Sequence, residues 1–217
     1  MKRFFSKIIQ LAFYWPFKWL FIVFLHFKTK GEHNIKKANT SFILAVNHIS
    51  YLDPMIILTA VPFRFRYFPF HFMMWDFLYN IFFFLRFMGA IPSRKGKGLE
   101  ISTAPFIKKL TQGERIIIFP EGAIKRKGRP INARRGISYI AAKTGKYILP
   151  AKIDSDLKGW INIIGDSIIN LLKRKHRALV IFGEPFKIEE TIGKTPVTDN
   201  ELRQASEEVM KRVRALK

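Results

Sequence analysis

The chain of 217 residues has the length of one domain and can bury a hydrophobic core without disulfides or a structural metal. It contains no cysteine, which excludes disulfides, a thiol nucleophile and thiolate metal sites, and its five histidines show no metal-ligand spacing, so no metal is expected. Its 38 Lys and Arg against 16 Asp and Glu give a formal net charge of +22, which predicts an anionic partner.

The aromatic residues decide which anionic partner the charge indicates. The 22 phenylalanines are concentrated in two dense apolar stretches. Nucleic-acid modules instead interleave single aromatic residues with basic and polar ones that contact the bases. We therefore predict an anionic membrane surface as a partner, and no nucleic acid.

The first apolar stretch runs from Ile8 to Phe27 and follows a basic start. It is long enough to span a bilayer, but Pro16 interrupts it and Lys18 would lie near the bilayer centre, at a cost of about 3 kcal/mol. We predict two short helices in the membrane interface, with a buried hairpin packed on the domain as the alternative. No small-residue cleavage site follows, so removal as a signal peptide is not expected. Residues 1–30 form this segment and residues 31–217 the main domain.

A histidine and an aspartate follow the first predicted strand, Phe42 to Val46. Pro54 suits the first turn of a helix, with Asp53 as its N-cap. On one regular helix, side chains five residues apart point about 140° away from each other, so His48 and Asp53 can meet only across a turn. A carboxylate bonded to one imidazole nitrogen leaves the other basic, as a general base requires. The alternative is a helix cap beside an incidental histidine.

The second aromatic stretch, Phe63 to Met88, contains four charged residues, and its longest apolar run is too short to cross a membrane. We predict an interfacial surface beside the site, with a core helix as the alternative for part of it. A basic glycine-containing loop, Ser93 to Gly98, then precedes a predicted helix from Leu99 to Thr111.

The rest of the chain continues the alternation of strands and helices. A strand is predicted from Arg115 to Phe119, a helix that ends at Gly145, and a final helix with a capping box formed by Thr198 and Glu201. Two more strands are predicted, Tyr147 to Ile153 and Ala178 to Phe182. This order predicts an α/β domain with ligands at the strand ends, whereas residues 154–176 carry no pattern that assigns them a role.

Four short blocks in one order resemble those of the glycerolipid acyltransferase family. They are Asn47-His48-x-x-x-x-Asp53, Gly89-Ala90-Ile91-Pro92-Ser93-Arg94, Phe119-Pro120-Glu121-Gly122 and Leu149-Pro150-Ala151. In addition, Arg134-Arg135-Gly136 resembles the family's basic pair before a helix. The chain departs from the pattern after Gly122, where the family usually has Thr or Ser and then Arg, and this sequence has Ala123-Ile124-Lys125-Arg126.

The resemblance implies a single α/β domain with a mostly parallel central sheet flanked by helices. It implies acyl transfer from acyl-CoA or acyl-carrier protein, as co-substrate without another cofactor, to the hydroxyl of lysophosphatidate. His48 would remove the hydroxyl proton and Asp53 would orient His48. Arg94 would bind the acceptor phosphate, and further substrate contacts would come from Asn47, Lys97, Glu121, Gly122 and Arg126.

Two other functions stay open at this point. The acceptor could be glycerol 3-phosphate or another lysophospholipid, or the chain could be a basic peripheral membrane protein without catalytic activity. In each case we expect a membrane-associated protein on the cytoplasmic face, at the inner membrane in a bacterium.

Overall fold

Strands and helices alternate along the chain. The computed structural model describes residues 2–38, 41–64, 67–74, 76–81, 84–94, 96–124, 132–156 and 176–217. The strands are β1 (Lys28–Lys30), β2 (Phe42–Val46), β3 (Phe70–Met74), β4 (Ala90–Pro92), β5 (Arg115–Ile118), β6 (Tyr147–Ser155) and β7 (Ala178–Phe182). The helices are α1 (Lys2–Leu25), α2 (Asn34–Lys37), α3 (Asp53–Ala60), α4 (Asp76–Ile81), α5 (Phe84–Phe87), α6 (Leu99–Thr111), α7 (Gly136–Thr144), α8 (Glu189–Ile192) and α9 (Asp199–Ala215).

The strands form one seven-stranded sheet in the order β1-β7-β6-β2-β5-β3-β4. All neighbouring strands are parallel except β6 and β7, which are antiparallel. Strand β2 lies at the centre, with Val46 opposite Ala151 on one side and Ala45 opposite Ile118 on the other. The predicted class, a mostly parallel sheet flanked by helices, is confirmed.

Both faces of the sheet are covered, which explains why β2 reads as a continuous apolar run and is buried at all five positions. Phe42, Leu44 and Val46 face a core shared with α1 and α3. Ile43 and Ala45 face a second core that includes residues of α6, α7 and α9. The sheet is therefore the middle layer of three.

Helix α1 is continuous from Lys2 to Leu25, so the prediction of two short helices is wrong. Pro16 lies inside it, where proline removes a backbone hydrogen bond and usually kinks or ends a helix. Packing along the whole length of α1 offsets that loss. Its domain-facing side buries Ser6, Gln10, Tyr14, Phe21 and Leu25.

Two polar side chains attach α1 to the domain. The Gln10 amide donates to the carbonyl oxygens of Phe70 and Met88, both at 2.7 Å, and accepts from the Phe70 N–H at 2.9 Å. The Tyr14 hydroxyl donates to the carbonyl oxygen of Val61 at 2.9 Å. These bonds give buried hydrogen-bond partners to backbone groups of Phe70, Met88 and Val61.

The outer side of α1 is apolar and exposed. In the described part of the chain, the segment from Phe4 to Leu25 is the one helix with the length and composition to cross a membrane, and it is compatible with membrane association. The exposed residues are Phe4, Phe5, Ile8, Phe13, Trp15, Trp19, Leu20 and Ile22. We call them the outer face of α1.

The second aromatic stretch divides between core and surface. Phe68, Phe70 and Phe72 are buried, and the last two belong to β3, so the prediction of an interfacial surface is wrong for this part. The following short helices α4 and α5 expose Phe77, Ile81, Phe84 and Phe87. Exposed apolar surface is thus found mainly in the second half of the stretch, and its place at a membrane interface stays a prediction.

The predicted helix ends are confirmed where a specific signal marks them. Thr198 and Glu201 form the predicted capping box of α9. Lys194 and the backbone N–H groups of Thr198 and Val197 lower the pKa of Glu201 to about 2. Gly145 ends α7 in the left-handed conformation that glycine adopts without strain.

Candidate active site

The candidate site lies where β2, β5 and β6 end. These three strands are parallel neighbours, so their carboxyl ends meet at one edge of the sheet. The residues that follow β2 and β5 carry two of the four sequence blocks. Among the described residues, no three His, Asp or Glu side chains come together as metal ligands do.

His48 and Asp53 meet across the predicted turn. His48 Nδ1 lies 2.7 Å from Asp53 Oδ2, and this same oxygen accepts the N–H groups of Ile49 and Ser50 at 2.7 and 2.9 Å. Asp53 is completely buried, whereas the His48 side chain keeps 17% of its surface exposed. The aspartate is therefore fixed inside the protein, and the imidazole reaches the surface.

The sequence predicted Asp53 as the N-cap of α3, and this prediction is wrong. The helix begins at Asp53 itself, Leu52 holds the cap position and Pro54 follows in the first turn. The carboxylate turns back to the preceding turn and to His48 instead of capping its own helix. In the described structure its second oxygen, Oδ1, is buried without a hydrogen-bond partner.

Glu121 and Phe119 hold His48 from the neighbouring strand. Glu121 Oε2 accepts the backbone N–H of His48 at 2.8 Å, and the Phe119 ring stacks on the imidazole with centroids 4.2 Å apart. The resemblance assigns Glu121 to the acceptor site and assigns no role to Phe119. The structure puts both against the histidine.

Asn47 joins β2 to β6. Its amide nitrogen donates to the Ile153 carbonyl oxygen at 2.9 Å, and its amide oxygen accepts the Ile153 N–H at 2.7 Å. Both polar ends of the amide are bonded to the backbone of β6, and the expected contact with substrate stays a prediction. Asn47 fixes the residue that precedes His48.

Two further predicted substrate contacts, Arg94 and Lys97, follow β4. Arg94 is exposed after β4, in a left-handed conformation (φ 49°), and its N–H donates to Asp76 Oδ1 at 3.1 Å. Since β4 is three strands from β2, at about 4.8 Å per strand, the ends of these strands are about 14 Å apart. Lys97 is exposed in the same loop, and Arg126 lies outside the described residues. The structure therefore does not bring Arg94 or Lys97 against His48.

Gly122 is at the site and has a positive φ of 65°. The side chain of Arg134 runs across it, so close that a side chain at position 122 would collide with the arginine. The sequence indicated the glycine through its block, but it gave no sign of this arginine contact. Contacts between residues twelve positions apart leave no periodic signal in a sequence.

Comparison with known proteins agrees with these blocks and this fold. A family model described as Acyltransferase matches residues 26–154, which is more than half of the chain. The chain therefore belongs to the acyltransferase family.

Two relatives specify the likeness further. A 1-acyl-sn-glycerol-3-phosphate acyltransferase of Borreliella burgdorferi is 28% identical over 147 residues, which are 67% of this chain but only 58% of that protein. The crystal structure of the 1-acyl-sn-glycerophosphate (LPA) acyltransferase PlsC from Thermotoga maritima has a TM-score of 0.63 at 24% identity, covering 93% of this chain and 77% of that one. At that identity the structural match establishes a shared fold.

Proposed function

We propose that this chain transfers an acyl group from acyl-CoA or acyl-carrier protein to the free hydroxyl of lysophosphatidate, giving phosphatidate. The observation that carries the proposal is the bond between His48 Nδ1 and the buried Asp53 carboxylate. An acceptor at Nδ1 places the ring proton there and leaves the lone pair on Nε2. No hydrogen bond to Nε2 is found within the described part of the chain, so this nitrogen is open to a substrate.

The proposed step needs no covalent acyl-enzyme. His48 Nε2 takes the proton of the acceptor hydroxyl while that oxygen attacks the thioester carbonyl carbon. The new C–O ester bond forms, the C–S bond breaks, and the thiolate leaves with the proton that His48 returns. His48 is a positively charged imidazolium after it takes the proton and before it returns it. The negative carboxylate of Asp53 stabilises this charge.

The family supports acyl transfer, and lysophosphatidate as the acceptor is supported by the name of the Borreliella relative alone. Glycerol 3-phosphate or another lysophospholipid stays the alternative acceptor, and a basic membrane-binding protein without activity the alternative function. Arg94 stays the acceptor-phosphate ligand proposed from its block.

The proposed site of action is an anionic membrane surface, because lysophosphatidate and phosphatidate are lipids. The outer face of α1 supplies exposed aromatic surface, and the net charge of +22 supplies attraction to anionic headgroups. Since α1 packs on the domain along its whole length, a helix that lies in the interface fits these contacts better than one that leaves the domain to span the bilayer.

The test is acyl transfer by the purified full chain in detergent micelles. The wild type and the His48→Ala variant are each incubated with a radiolabelled acyl donor, either acyl-CoA or acylated acyl-carrier protein. Each donor is combined in turn with lysophosphatidate, glycerol 3-phosphate and lysophosphatidylcholine. Labelled phosphatidate formed by the wild type and reduced at least a hundredfold in the variant supports the proposal. Product from another acceptor alone would favour the alternative substrate, and no product from any pair would reject catalysis.

A further inference from the structure

The carboxylate that holds the backbone of His48 is also in contact with the end of helix α9. Glu121 Oε2 accepts the His48 N–H at 2.8 Å, and the other oxygen, Oε1, lies 3.9 Å from Nη2 of Arg214. The Glu121 side chain is nearly buried, whereas that of Arg214 is half-exposed. In the described part of the chain, Arg214 is the one cation that forms an ion pair with this carboxylate.

The end of α9 that carries Arg214 is fixed on strand β6. The Lys152 ammonium donates to the carbonyl oxygens of Arg214 and Leu216, at 3.3 and 2.8 Å. A cation at the last carbonyls of a helix satisfies groups that have no partner within the helix and interacts favourably with its dipole. Ala151, the residue before Lys152, lies opposite Val46 at the end of β2. The backbone of Arg214 is therefore held one strand away from the end of β2.

The two oxygens of Glu121 face two different partners. Burying a carboxylate is costly unless it is both paired with a charge and hydrogen-bonded, and Glu121 has one such partner at each oxygen. Because both oxygens belong to one rigid plane, attraction at Oε1 also limits the rotation that would take Oε2 away from the His48 N–H. The charge of Arg214 can therefore act on the position of His48 through Glu121.

We propose that Arg214 is a positioning residue for His48. It holds Glu121 Oε2 on the His48 backbone N–H and so fixes the turn that carries the imidazole. The four sequence blocks do not include Arg214, so the resemblance assigns it no role. This role rests on the proposed acyl transfer, in which His48 is the general base.

The first experiment is a double-mutant cycle between Arg214 and Glu121, measured as acyl transfer to lysophosphatidate by the full chain in detergent micelles. Glu121→Gln keeps an oxygen for the His48 N–H but removes the charge that attracts Arg214. Arg214→Ala should therefore lower kcat about three- to tenfold in the wild type, and less than about twofold in Glu121→Gln. The expected loss is moderate because water screens an ion pair whose arginine is half-exposed.

Three further measurements separate positioning from other roles of the arginine. KM for the acceptor and for the acyl donor should stay within about twofold in Arg214→Ala, since the arginine acts on Glu121 and binds neither substrate. Arg214→Lys should recover most of the lost kcat, because a separation of 3.9 Å indicates attraction between charges and not a bidentate contact. Arg203→Ala removes an equal charge from the exposed side of α9 and should leave kcat unchanged.

The second experiment measures the hydrogen bond itself and does not depend on activity. The chain has five histidines, so isotopically labelled histidine gives few amide signals in nuclear magnetic resonance, and the signal lost in His48→Ala identifies His48. A backbone N–H that loses its acceptor exchanges faster with solvent. Arg214→Ala should raise the exchange rate of the His48 amide about three- to tenfold, whereas Arg203→Ala should leave it unchanged.

The outcomes separate this inference from the function it rests on. Unchanged kcat and unchanged His48 exchange in folded Arg214→Ala would overturn the inference and leave the proposed function standing. Equal losses of kcat in the wild type and in Glu121→Gln, or a raised acceptor KM, would also overturn it, because Arg214 would then act without Glu121. If the wild type acylates no acceptor while Arg214→Ala speeds His48 exchange, the positioning contact is supported and the proposed function is rejected.

Discussion

Glu121 Oε2 accepts a hydrogen bond from the backbone N–H of His48, with 2.8 Å between the two atoms. The bond joins the turn after β5 to the turn after β2, which are neighbouring parallel strands. A carboxylate that is 5% exposed and bonded to a backbone N–H is suited to fixing a position, whereas transferring protons requires access to the substrate. Glu121 is therefore interpreted as a positioning residue for His48.

The first prediction follows from this bond. Glu121→Ala should lower kcat about 10- to 100-fold, because the charged hydrogen bond to His48 contributes about 1.5 to 3 kcal/mol. Glu121→Gln, whose amide oxygen can still accept the N–H, should recover most of the loss. The pH dependence of kcat should keep its shape in both variants, since neither removes the base. A shifted pH profile with kcat unchanged at its optimum would instead assign Glu121 a role in proton transfer.

A second prediction concerns His48 and Asp53 as one unit. Asp53→Asn keeps the shape of the side chain but gives it an amide in place of the carboxylate that orients and stabilises the imidazole, so turnover should fall about 10²- to 10⁴-fold. His48→Ala should cost a similar factor. The double variant should be little worse than the more damaged single one, because effects within one catalytic unit are not additive. If the double variant loses turnover by the product of the two single factors, with its fold checked by circular dichroism, the two residues do not share one role.

The parts of the fold that the sequence predicted are those with local signals. Strand β2 and strand β7 are short apolar runs whose burial on both sheet faces leaves no alternation to misread. The capping box at Thr198 and the glycine at position 145 mark helix ends through chemistry of neighbouring residues. The meeting of His48 with Asp53 was predictable because strand, turn and helix are consecutive.

What the sequence did not predict depends on distant contacts. Gln10 attaches α1 to the domain by bonding to Phe70, sixty residues away. Strand β3 was not predicted, because most residues around it are apolar. Such a sequence has no hydrophobic periodicity that would distinguish buried from exposed positions. The approach of Arg134 to Gly122 likewise joins residues twelve positions apart.

A third prediction uses a buried ionic cluster at the opposite end of the sheet from His48. Glu114, next to the start of β5, bonds to His71 Nε2 on β3 and lies 3.3 Å from Lys109 Nζ. Burial raises the pKa of the Glu114 carboxyl, but its hydrogen bonds and charge interactions with His71 and Lys109 outweigh burial and lower the pKa below its ordinary value of 4.5. Its charged form is therefore favoured by folding.

Because the pKa of Glu114 is lower in the folded state, its stabilising contribution is present above about pH 4.5 and is lost as pH falls through the lowered folded pKa. Glu114→Gln should destabilise the protein by about 3 to 5 kcal/mol at pH 7, the usual cost of breaking a buried pair. The difference in the free energy of unfolding between the wild type and Glu114→Gln should become smaller below pH 4.5. Thermal unfolding in detergent micelles measures it. The control is Glu184→Gln, which breaks the exposed pair with Lys37 and should change little. If this difference in the free energy of unfolding does not change with pH, the charge of Glu114 is not what stabilises the wild type.

The final prediction concerns the outer face of α1. Removing α1 altogether would not test membrane binding cleanly, because Tyr14, Phe21 and Leu25 belong to the core and the chain without them would expose it. Point changes on the opposite side avoid this problem. Phe4, Phe5 and Trp19 are 60%, 55% and 65% exposed, so replacing all three with Gln removes apolar surface without removing a buried side chain.

Charge and apolar surface should contribute separately to membrane binding. Attraction between basic residues and anionic lipids is screened within a Debye length of about 8 to 10 Å, whereas burial of aromatic surface is not screened in that way. Burying each large apolar side chain contributes about 1.5 to 3 kcal/mol. Wild-type protein should therefore stay with anionic liposomes in high salt, and the triple Gln variant should bind in low salt but be released as salt rises. A variant with Ile101 and Val197 changed to Gln, two exposed apolar residues outside α1, should behave as wild type in the same co-sedimentation series. Salt-resistant binding by the triple variant would show that the outer face of α1 is not the surface that enters the membrane.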